Sequence, residues 1–183
     1  MRALVLLLVG ALLGACGSEP NAPTADDSKF ELPADQVMFS GRQSLTANGI
    51  RRSEVEADTI LTFEKSRRQE LRIVKVTFFE DDGRIAGTLT SDKAEYTMAE
   101  GLFIARGNVV LITPSPNGGE RELRTEELYF DVANDEIWSD RPFTLLENGQ
   151  TSNGTTFRSD SQFRTWEVTG ARTEGAAEGG IRF

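Results

Sequence analysis

The sequence predicts an all-β protein built as a stacked antiparallel sheet. Runs rich in Thr, Val, Phe and Tyr recur along most of the chain, and these residue types favour strands. No stretch after the N-terminal segment keeps a helical period. The third observation is a set of dipeptides that suit tight hairpins, namely Asn48-Gly49, Asp82-Gly83, Asn117-Gly118, Asn148-Gly149 and Asn153-Gly154.

A four-residue word repeats along the chain at a constant interval. It consists of an apolar residue, a spacer, a small residue and an acid, and its leading residues Val55, Leu89, Leu123 and Phe157 are 34 positions apart. Helical tetratricopeptide repeats have about the same length. The Thr, Val, Phe and Tyr content of the units, and the Gly between them, favour strands over helices.

The apolar pattern changes phase at the acid of each word. Leu89 and Ser91 share one parity, whereas Ala94 and Tyr96 share the other. Side chains alternate with period two along a strand, so a three-residue step indicates a bulge or corner. We therefore expect the strands to bend at the acidic residues.

A sheet that folds over at these corners encloses an elongated apolar groove. If successive units stack in register, equivalent residues lie about 4.8 Å apart and form apolar ladders. The same positions also suit ordinary core packing, and both roles remain open. The candidate groove residues are Val55, Leu89, Val109, Leu111, Leu123, Phe143, Leu145 and Phe157.

The N-terminus has the features of a secretory signal over residues 1–15. Arg2 is followed by a short apolar run and by small residues before a cleavage site. The tetrapeptide Leu13-Gly14-Ala15-Cys16 resembles the lipobox of bacterial lipoproteins. This resemblance implies that Cys16 is acylated and becomes the first residue of the mature protein, which then attaches to a membrane through lipid.

Composition divides the rest of the chain into three parts. Residues 16–34 begin with the lipid-anchor Cys16 and contain three prolines with little apolar content, so we expect a disordered tether. The folded domain is expected at 35–174. A flexible, Gly-containing tail is expected at 175–183.

Catalysis is not expected. The chain contains no histidine, and Cys16 is its single cysteine, which excludes histidine-based triads and the common zinc sites. The acids Asp58, Asp92, Glu126 and Asp160 are expected to form a row at the corners, where hydrogen bonds to local amides explain them more simply than glycoside hydrolysis. The net charge of −9 argues against nucleic acid as a partner.

Three segments together resemble the OstA-type repeat of the LptC/LptA family. They are residues 89–96 (LTSDKAEY), 107–111 (GNVVL) and 123–130 (LRTEELYF), and the resemblance extends from about Val37 to Gly170. It implies a twisted β-jellyroll whose interior receives the acyl chains of lipopolysaccharide, with no cofactor.

The resemblance also implies partners and a location. One N-terminal anchor before a single such domain is more similar to the LptC type than to the soluble LptA type. This implies that the protein takes lipopolysaccharide from the inner-membrane export ABC transporter and passes it to an LptA-like periplasmic bridge. The lipobox is a departure, because LptC-type members usually keep a transmembrane signal anchor.

Two further alternatives remain open. The anchored domain would lie in the periplasm of a Gram-negative bacterium, at the inner membrane by the family resemblance or at the outer membrane because Gly17 follows the cysteine. The chain could instead be an LptA-like or structural lipoprotein that assembles through edge strands without transferring lipid.

Overall fold

The computed structural model describes residues 34–116 and 118–174, and all of them belong to the unit Leu32–Phe183. Every regular element within these residues is a β-strand, so the all-β prediction is confirmed. The expected signal segment, Cys16, the tether up to residue 33 and the tail from residue 175 lie outside the described residues. The strands are β1 (Gln36–Ala47), β2 (Ile50–Phe63), β3 (Arg68–Phe79), β4 (Ile85–Thr97), β5 (Leu102–Pro114), β6 (Glu120–Asp131), β7 (Glu136–Ser139), β8 (Phe143–Glu147), β9 (Gln150–Gly154), β10 (Thr156–Asp160), β11 (Trp166–Thr169) and β12 (Arg172–Glu174).

The strands form one antiparallel sheet that divides into two branches after β6. From β1 to β6 each strand pairs with the next in the chain. One half of β6 then pairs with β7, followed by β10 and β11, while its other half pairs with β8, followed by β9 and β12. The division begins where β7 ends, because residues 140–142 leave the strand before β8 starts.

The turn chemistry explains two of the hairpins directly. Asn48 and Gly49 have φ of 52° and 78°, and Asn148 and Gly149 have φ of 50° and 76°. Two consecutive left-handed residues define the type I′ turn, which matches the twist of the flanking strands. The hairpins predicted at these two dipeptides are therefore confirmed.

The prediction of a hairpin at Asn153-Gly154 is wrong. Gly154 is the last residue of β9, and it lies opposite Phe143 of β8. A Cβ atom on Gly154 would lie 2.2 Å from Cζ of Phe143. Glycine is needed here for close packing against an aromatic ring, and a dipeptide pattern does not distinguish that need from a turn.

A line of backbone irregularities, which we call the crease, crosses the long strands. Ser40 of β1, Ile73 of β3 and Asn108 of β5 have left-handed φ of 51°, 51° and 47°. The acids Asp58 and Asp92 on the neighbouring strands lie at the same level of the sheet. The buried side chains change parity at this line, so the predicted corners are confirmed on β2, β4 and β6. The corner expected at Asp160 is wrong, because β10 ends there and Phe157, Ser159 and Ser161 keep one parity.

The crease separates the sheet into two walls whose inner faces form the core. The first wall contains the strand halves that lead to the turns at 48–49, 80–84 and 148–149 and to residues 115–116 and 118–119. The second wall contains the strand halves that lead to the turns at 64–67, 98–101, 132–135 and 161–165. Phe78 of the first wall meets Phe130 of the second wall edge-on, with ring centroids 5.3 Å apart. Both walls therefore contribute to one apolar cluster.

Candidate lipid-binding interior

A continuous apolar ladder crosses the inner face of the first wall. Its members occupy successive register positions on β2, β3, β4, β5, β6 and β8. The first five are fully buried and the last is partly buried. The ladder residues are Val55, Val76, Leu89, Leu111, Leu123 and Leu145.

The spacing within this ladder differs from the sequence expectation. One 34-residue unit contains two strands, so Val55 and Leu89 are separated by Val76 on β3. Equivalent residues of successive units therefore lie about 9.6 Å apart, twice the distance between neighbouring strands. The prediction that they are direct neighbours is wrong, because each unit is a hairpin and not a single strand.

A second row lies between the ladder and the crease. Val109, Thr125 and Phe143 are register partners on β5, β6 and β8, and all three are buried. The Thr125 hydroxyl lies 3.3 Å from the Ser139 hydroxyl and donates to the carbonyl of Pro142 at 3.1 Å. The hydroxyl in this apolar row is thus satisfied close to the point where the sheet divides.

Phe157 does not continue the ladder. It lies on β10, which pairs with β7 and β11 in the second wall, whereas the ladder continues from Leu123 to Leu145 on β8. Its ring is fully buried and packs on Trp166 with centroids 4.6 Å apart. Phe157 therefore faces the same interior from the opposite wall.

A matching row on the second wall was missed as a candidate site. Its residues are register partners on six consecutive strands, and all except the first are buried. The phase change after each acid was the signal that could have found it, since it places a second set of positions on the inner face. The row is Met38, Ile60, Leu71, Ala94, Ala105 and Leu128.

The interior reaches the edge of the sheet at β1. Met38 is 53% exposed although its register partner Ile60 is buried, and Phe39 next to it is 74% exposed. Within the described residues, β1 has a strand partner only on its β2 side. The second-wall row thus meets solvent at Met38, on a strand with unpaired backbone groups, whereas the first-wall ladder ends at Val55, whose register partner on β1 is Gln43.

Comparison with family models shows where this architecture belongs. Residues 3–173 match the family described as "Lipopolysaccharide-assembly, LptC-related". The chain belongs to this LptC-related family. A search of curated proteins gives no match. Among solved structures, the chain is similar to LptH, "the LptA homologous periplasmic component of the conserved lipopolysaccharide transport device from Pseudomonas aeruginosa", with 16% identity, a TM-score of 0.49, and coverage of 71% of this chain and 90% of that one.

Membership of the LptC-related family gives the general role. Lpt proteins are periplasmic components of lipopolysaccharide transport in Gram-negative bacteria, and this chain has a role in that transport and is not an enzyme. Its stacked antiparallel sheet agrees with the jellyroll predicted for the family. Within the described residues, no helix is long and apolar enough to cross a membrane, and no group of three or more His, Cys, Asp or Glu residues could hold a metal ion.

The candidate residues of the LptC-related domain are packed against one another. Leu89, Leu111 and Leu123 are at most 1% exposed, and the walls touch through Phe78 and Phe130. The space between the walls is therefore filled by the protein's own side chains. A lipid chain could enter only by replacing some of these contacts with its own, because protein interiors are close-packed.

Charged groups lie on the outer face of the second wall. Glu127 accepts hydrogen bonds from Arg106 at 2.8 Å, from the Tyr129 hydroxyl at 2.8 Å and from Arg141 at 3.3 Å. Burial alone would raise the pKa of Glu127, but the hydrogen bonds from Arg106 and Tyr129 outweigh it and lower that pKa. This carboxylate fixes the junction at which β7 leaves β6.

A second carboxylate lies at the far margin of the first wall. Glu147 accepts a hydrogen bond from the Ser115 hydroxyl and another from Arg121 at 2.9 Å, and these bonds lower the pKa of Glu147. The guanidinium of Arg121 also lies 4.7 Å from the ring centroid of Trp166. The margin of the first wall is thus connected to β11 of the second wall.

Proposed function

We propose that this LptC-related chain is a lipid-anchored periplasmic protein that takes lipopolysaccharide from the inner-membrane export ABC transporter and passes it to an LptA-like bridge. The single observation that carries the proposal is the pair of apolar rows that face each other between two walls, of which the second-wall row reaches the sheet edge at Met38 of β1. Lipid chains that follow these rows travel across the strands, from one edge strand towards the other.

The inner faces suit acyl chains in chemistry and in length. Six strands separated by about 4.8 Å give a ladder of roughly 24 Å, which is longer than the extended acyl chains of a typical lipid. Each buried methylene contributes about 0.8 kcal/mol, so affinity comes from apolar burial despite the acidic net charge of −9. The eight candidate groove residues, including Leu145 and Phe157, are proposed to contact these chains.

The edges of the sheet suit neighbouring proteins. Within the described residues, β1 is bordered only by β2, β11 only by β10, and β12 only by β9. An edge strand presents unpaired N–H and C=O groups, and pairing with a strand of a neighbour would extend both walls. The transporter and the bridge are proposed to bind at opposite edges, so that the interior becomes continuous between them.

The test places the photocrosslinker p-benzoylphenylalanine at matched positions of the full chain in cells. Leu145 and Phe157 face the interior, whereas their chain neighbours Thr144 and Arg158 face outward, where they contact Asn153 and Glu136. Irradiation is expected to produce lipopolysaccharide adducts at Leu145 and Phe157, and much weaker adducts at Thr144 and Arg158. Circular dichroism of each purified variant checks that the fold is retained.

The alternative of a structural lipoprotein predicts a different pattern. Crosslinkers at exposed edge positions such as Ser44 of β1 would then capture neighbouring proteins, while neither Leu145 nor Phe157 would capture lipopolysaccharide. That result would remove the transfer role and leave only assembly through edge strands.

A further inference from the structure

The turn between β10 and β11 spans the open side of the two walls opposite the crease. We call residues 161–166, which comprise this turn and the first residue of β11, the strap. On the second wall, the Ser161 hydroxyl hydrogen-bonds to the Asp135 carboxylate. On the first wall, the side-chain amide of Gln162 donates to Asp81 Oδ1 at 3.1 Å. The strap is thus held at both margins of the opening by side chains.

Phe163 of the strap inserts between the walls. Its ring meets Phe78 edge-on, with centroids 5.5 Å apart. A Cβ atom on Gly87 would lie 2.7 Å from Cε2 of Phe163, so the absence of a side chain on β4 makes room for this ring. An apolar site for one bulky group therefore exists on the inner face of the first wall, between β3 and β4.

Trp166 adds a second aromatic ring to the same place. The centroid of its ring lies 6.4 Å from that of Phe163 and 4.6 Å from that of Phe157, and the Arg121 guanidinium lies over the Trp166 ring. Phe163 and Trp166 thus connect the buried ring of Phe78 with the buried ring of Phe157. The turn and the first residue of β11 thus supply two rings that occupy space between the walls.

The attachment of the strap to the first wall is weak in its polar part. No strand pairing joins residues 161–165 to the first wall within the described residues. The side-chain hydrogen bond that crosses the opening, from Gln162 to Asp81, is exposed to water, and exposed hydrogen bonds exchange readily for bonds to water. Contacts of the two rings, which include that of Trp166 with the Arg121 guanidinium, therefore supply most of the attachment.

Phe163 also carries backbone strain. Its φ is 56°, in the left-handed region that bulky residues rarely adopt. The turn is closed by the Phe163 N–H donating to the Asp160 carbonyl at 3.0 Å and by the Arg164 N–H donating to Asp160 Oδ1 at 2.7 Å. A conformation in which residues 161–165 leave this turn would relieve that strain.

We propose that the strap is a displaceable plug, and that Phe163 and Trp166 occupy the position which a fatty acyl chain of lipopolysaccharide takes when it binds. The inference rests on the proposed function. An acyl chain replaces aromatic contacts with aliphatic ones on Phe78 and beside Gly87, so the exchange leaves no void. The lipid-free and lipid-bound states then differ in whether the rings of Phe163 and Trp166 or an acyl chain lie between the walls.

The experiment places p-benzoylphenylalanine at Phe163 of the purified full chain and uses purified rough lipopolysaccharide as the probe. Without the probe, irradiation is expected to join position 163 to the peptide that contains Phe78 or Gly87, as detected by mass spectrometry. With saturating probe, this intramolecular product is expected to decrease several-fold. A product that persists unchanged, while the crosslinker at Leu145 captures lipopolysaccharide, overturns the plug but leaves lipid transfer intact.

Binding affinity gives a second, independent measurement. If the plug is open for about a tenth of the time, its removal lowers the apparent Kd by about tenfold. Phe163→Ala is therefore expected to bind lipopolysaccharide more tightly than the wild type. Phe103→Ala is the control, because it removes the same aromatic ring from the second wall, where Phe103 is fully buried and contacts Tyr96, whereas Phe163 is partly buried. Equal tightening in both variants would indicate general loosening and overturn the proposal, whereas absence of any lipopolysaccharide capture at Leu145 would contradict the proposed function itself.

Discussion

The contact between Gly154 and Phe143 tests the register of β8 and β9. In Gly154→Ala, the new Cβ atom would lie 2.2 Å from Cζ and 2.6 Å from Cε1 of Phe143, whereas carbon atoms in contact are about 3.5–4.0 Å apart. The ring must therefore move by more than 1 Å, on the order of half a ring width, within a filled core. Overpacking of this kind destabilises a protein by about 1–3 kcal/mol. Alanine also lowers the conformational entropy of the unfolded chain, which offsets less than about 1 kcal/mol of this loss.

The measurement is urea unfolding of the purified protein, followed by circular dichroism. With an m-value of about 2 kcal/mol/M, a loss of about 1–2 kcal/mol moves the midpoint down by roughly 0.5–1 M. Phe143→Leu alone removes buried ring area and is expected to cost about 1–2 kcal/mol. In the double variant, the shorter side chain leaves room for the alanine methyl group, so the combined loss is expected to be about 1 kcal/mol smaller than the sum.

A matched control and the pattern of additivity decide the outcome. Asn153→Ala changes the neighbouring exposed residue, which hydrogen-bonds to Thr144, and is expected to cost less than about 1 kcal/mol. If Gly154→Ala has no effect, or if the losses in Gly154→Ala and Phe143→Leu simply add, then the ring does not lie over residue 154. The assigned register, and with it the row that contains Val109 and Thr125, would then be incorrect.

Three further predictions concern the crease, the branch point and the anchor. Ile73 has φ of 51° and is 72% exposed. Because asparagine tolerates this conformation better than isoleucine, Ile73→Asn is expected to stabilise the protein by about 0.5–1 kcal/mol, as measured by urea unfolding. Ile85→Asn is the control, because Ile85 is also exposed but has no positive φ, and it is expected to give no such gain. Burial opposes ionisation of Glu127, but the hydrogen bond from Arg106 lowers its pKa. The ionised carboxylate therefore contributes its full stabilisation above the ordinary pKa of 4.5, and this stabilisation is lost as the pH falls through the lower pKa of the folded state. Glu127→Gln should flatten the acid limb of a stability–pH curve. Cys16→Ser is expected to abolish incorporation of labelled palmitate in cells and to release the protein from membranes, and unchanged labelling would contradict the lipobox interpretation.

The sequence was sufficient to predict the bends because they are encoded in side-chain parity. The step from Leu89 and Ser91 to Ala94 is visible without coordinates, and the structure places the crease at the intervening acid. The left-handed residues on the alternate strands β1, β3 and β5 were not predictable in the same way. Ile73 is a β-branched residue in a left-handed conformation, and only the strands on both sides of it can impose that conformation.

The fourth repeat shows why spacing alone does not fix neighbours. Phe157 keeps the 34-residue interval, but the chain leaves the sheet at residues 140–142, and the strand after β9 joins the other branch. Register along the chain is a local property, whereas strand order depends on where the chain crosses between walls. For the same reason, the insertion of Phe163 between the walls could not be read from a turn of ordinary composition.

The alternation along the crease constrains what can bind at the β1 edge. Left-handed residues occur on β1, β3 and β5, at Ser40, Ile73 and Asn108, while the intervening strands carry the acids Asp58 and Asp92. Asn108 shows the chemistry of the pairing, because its side-chain amide donates to Asp92 Oδ2 at 2.7 Å.

Since β1 is a strand of the left-handed type, the next strand in the pattern is of the acidic type. We therefore expect a partner that extends the sheet at β1 to present an apolar–spacer–small–acid word opposite Ser40, with its apolar residue beside Gln43 and its acid at the crease. A partner strand without the parity change at this level would continue only one of the two walls. Its other half would then turn polar side chains towards Met38, and acyl chains could not pass from one domain to the next along both apolar rows.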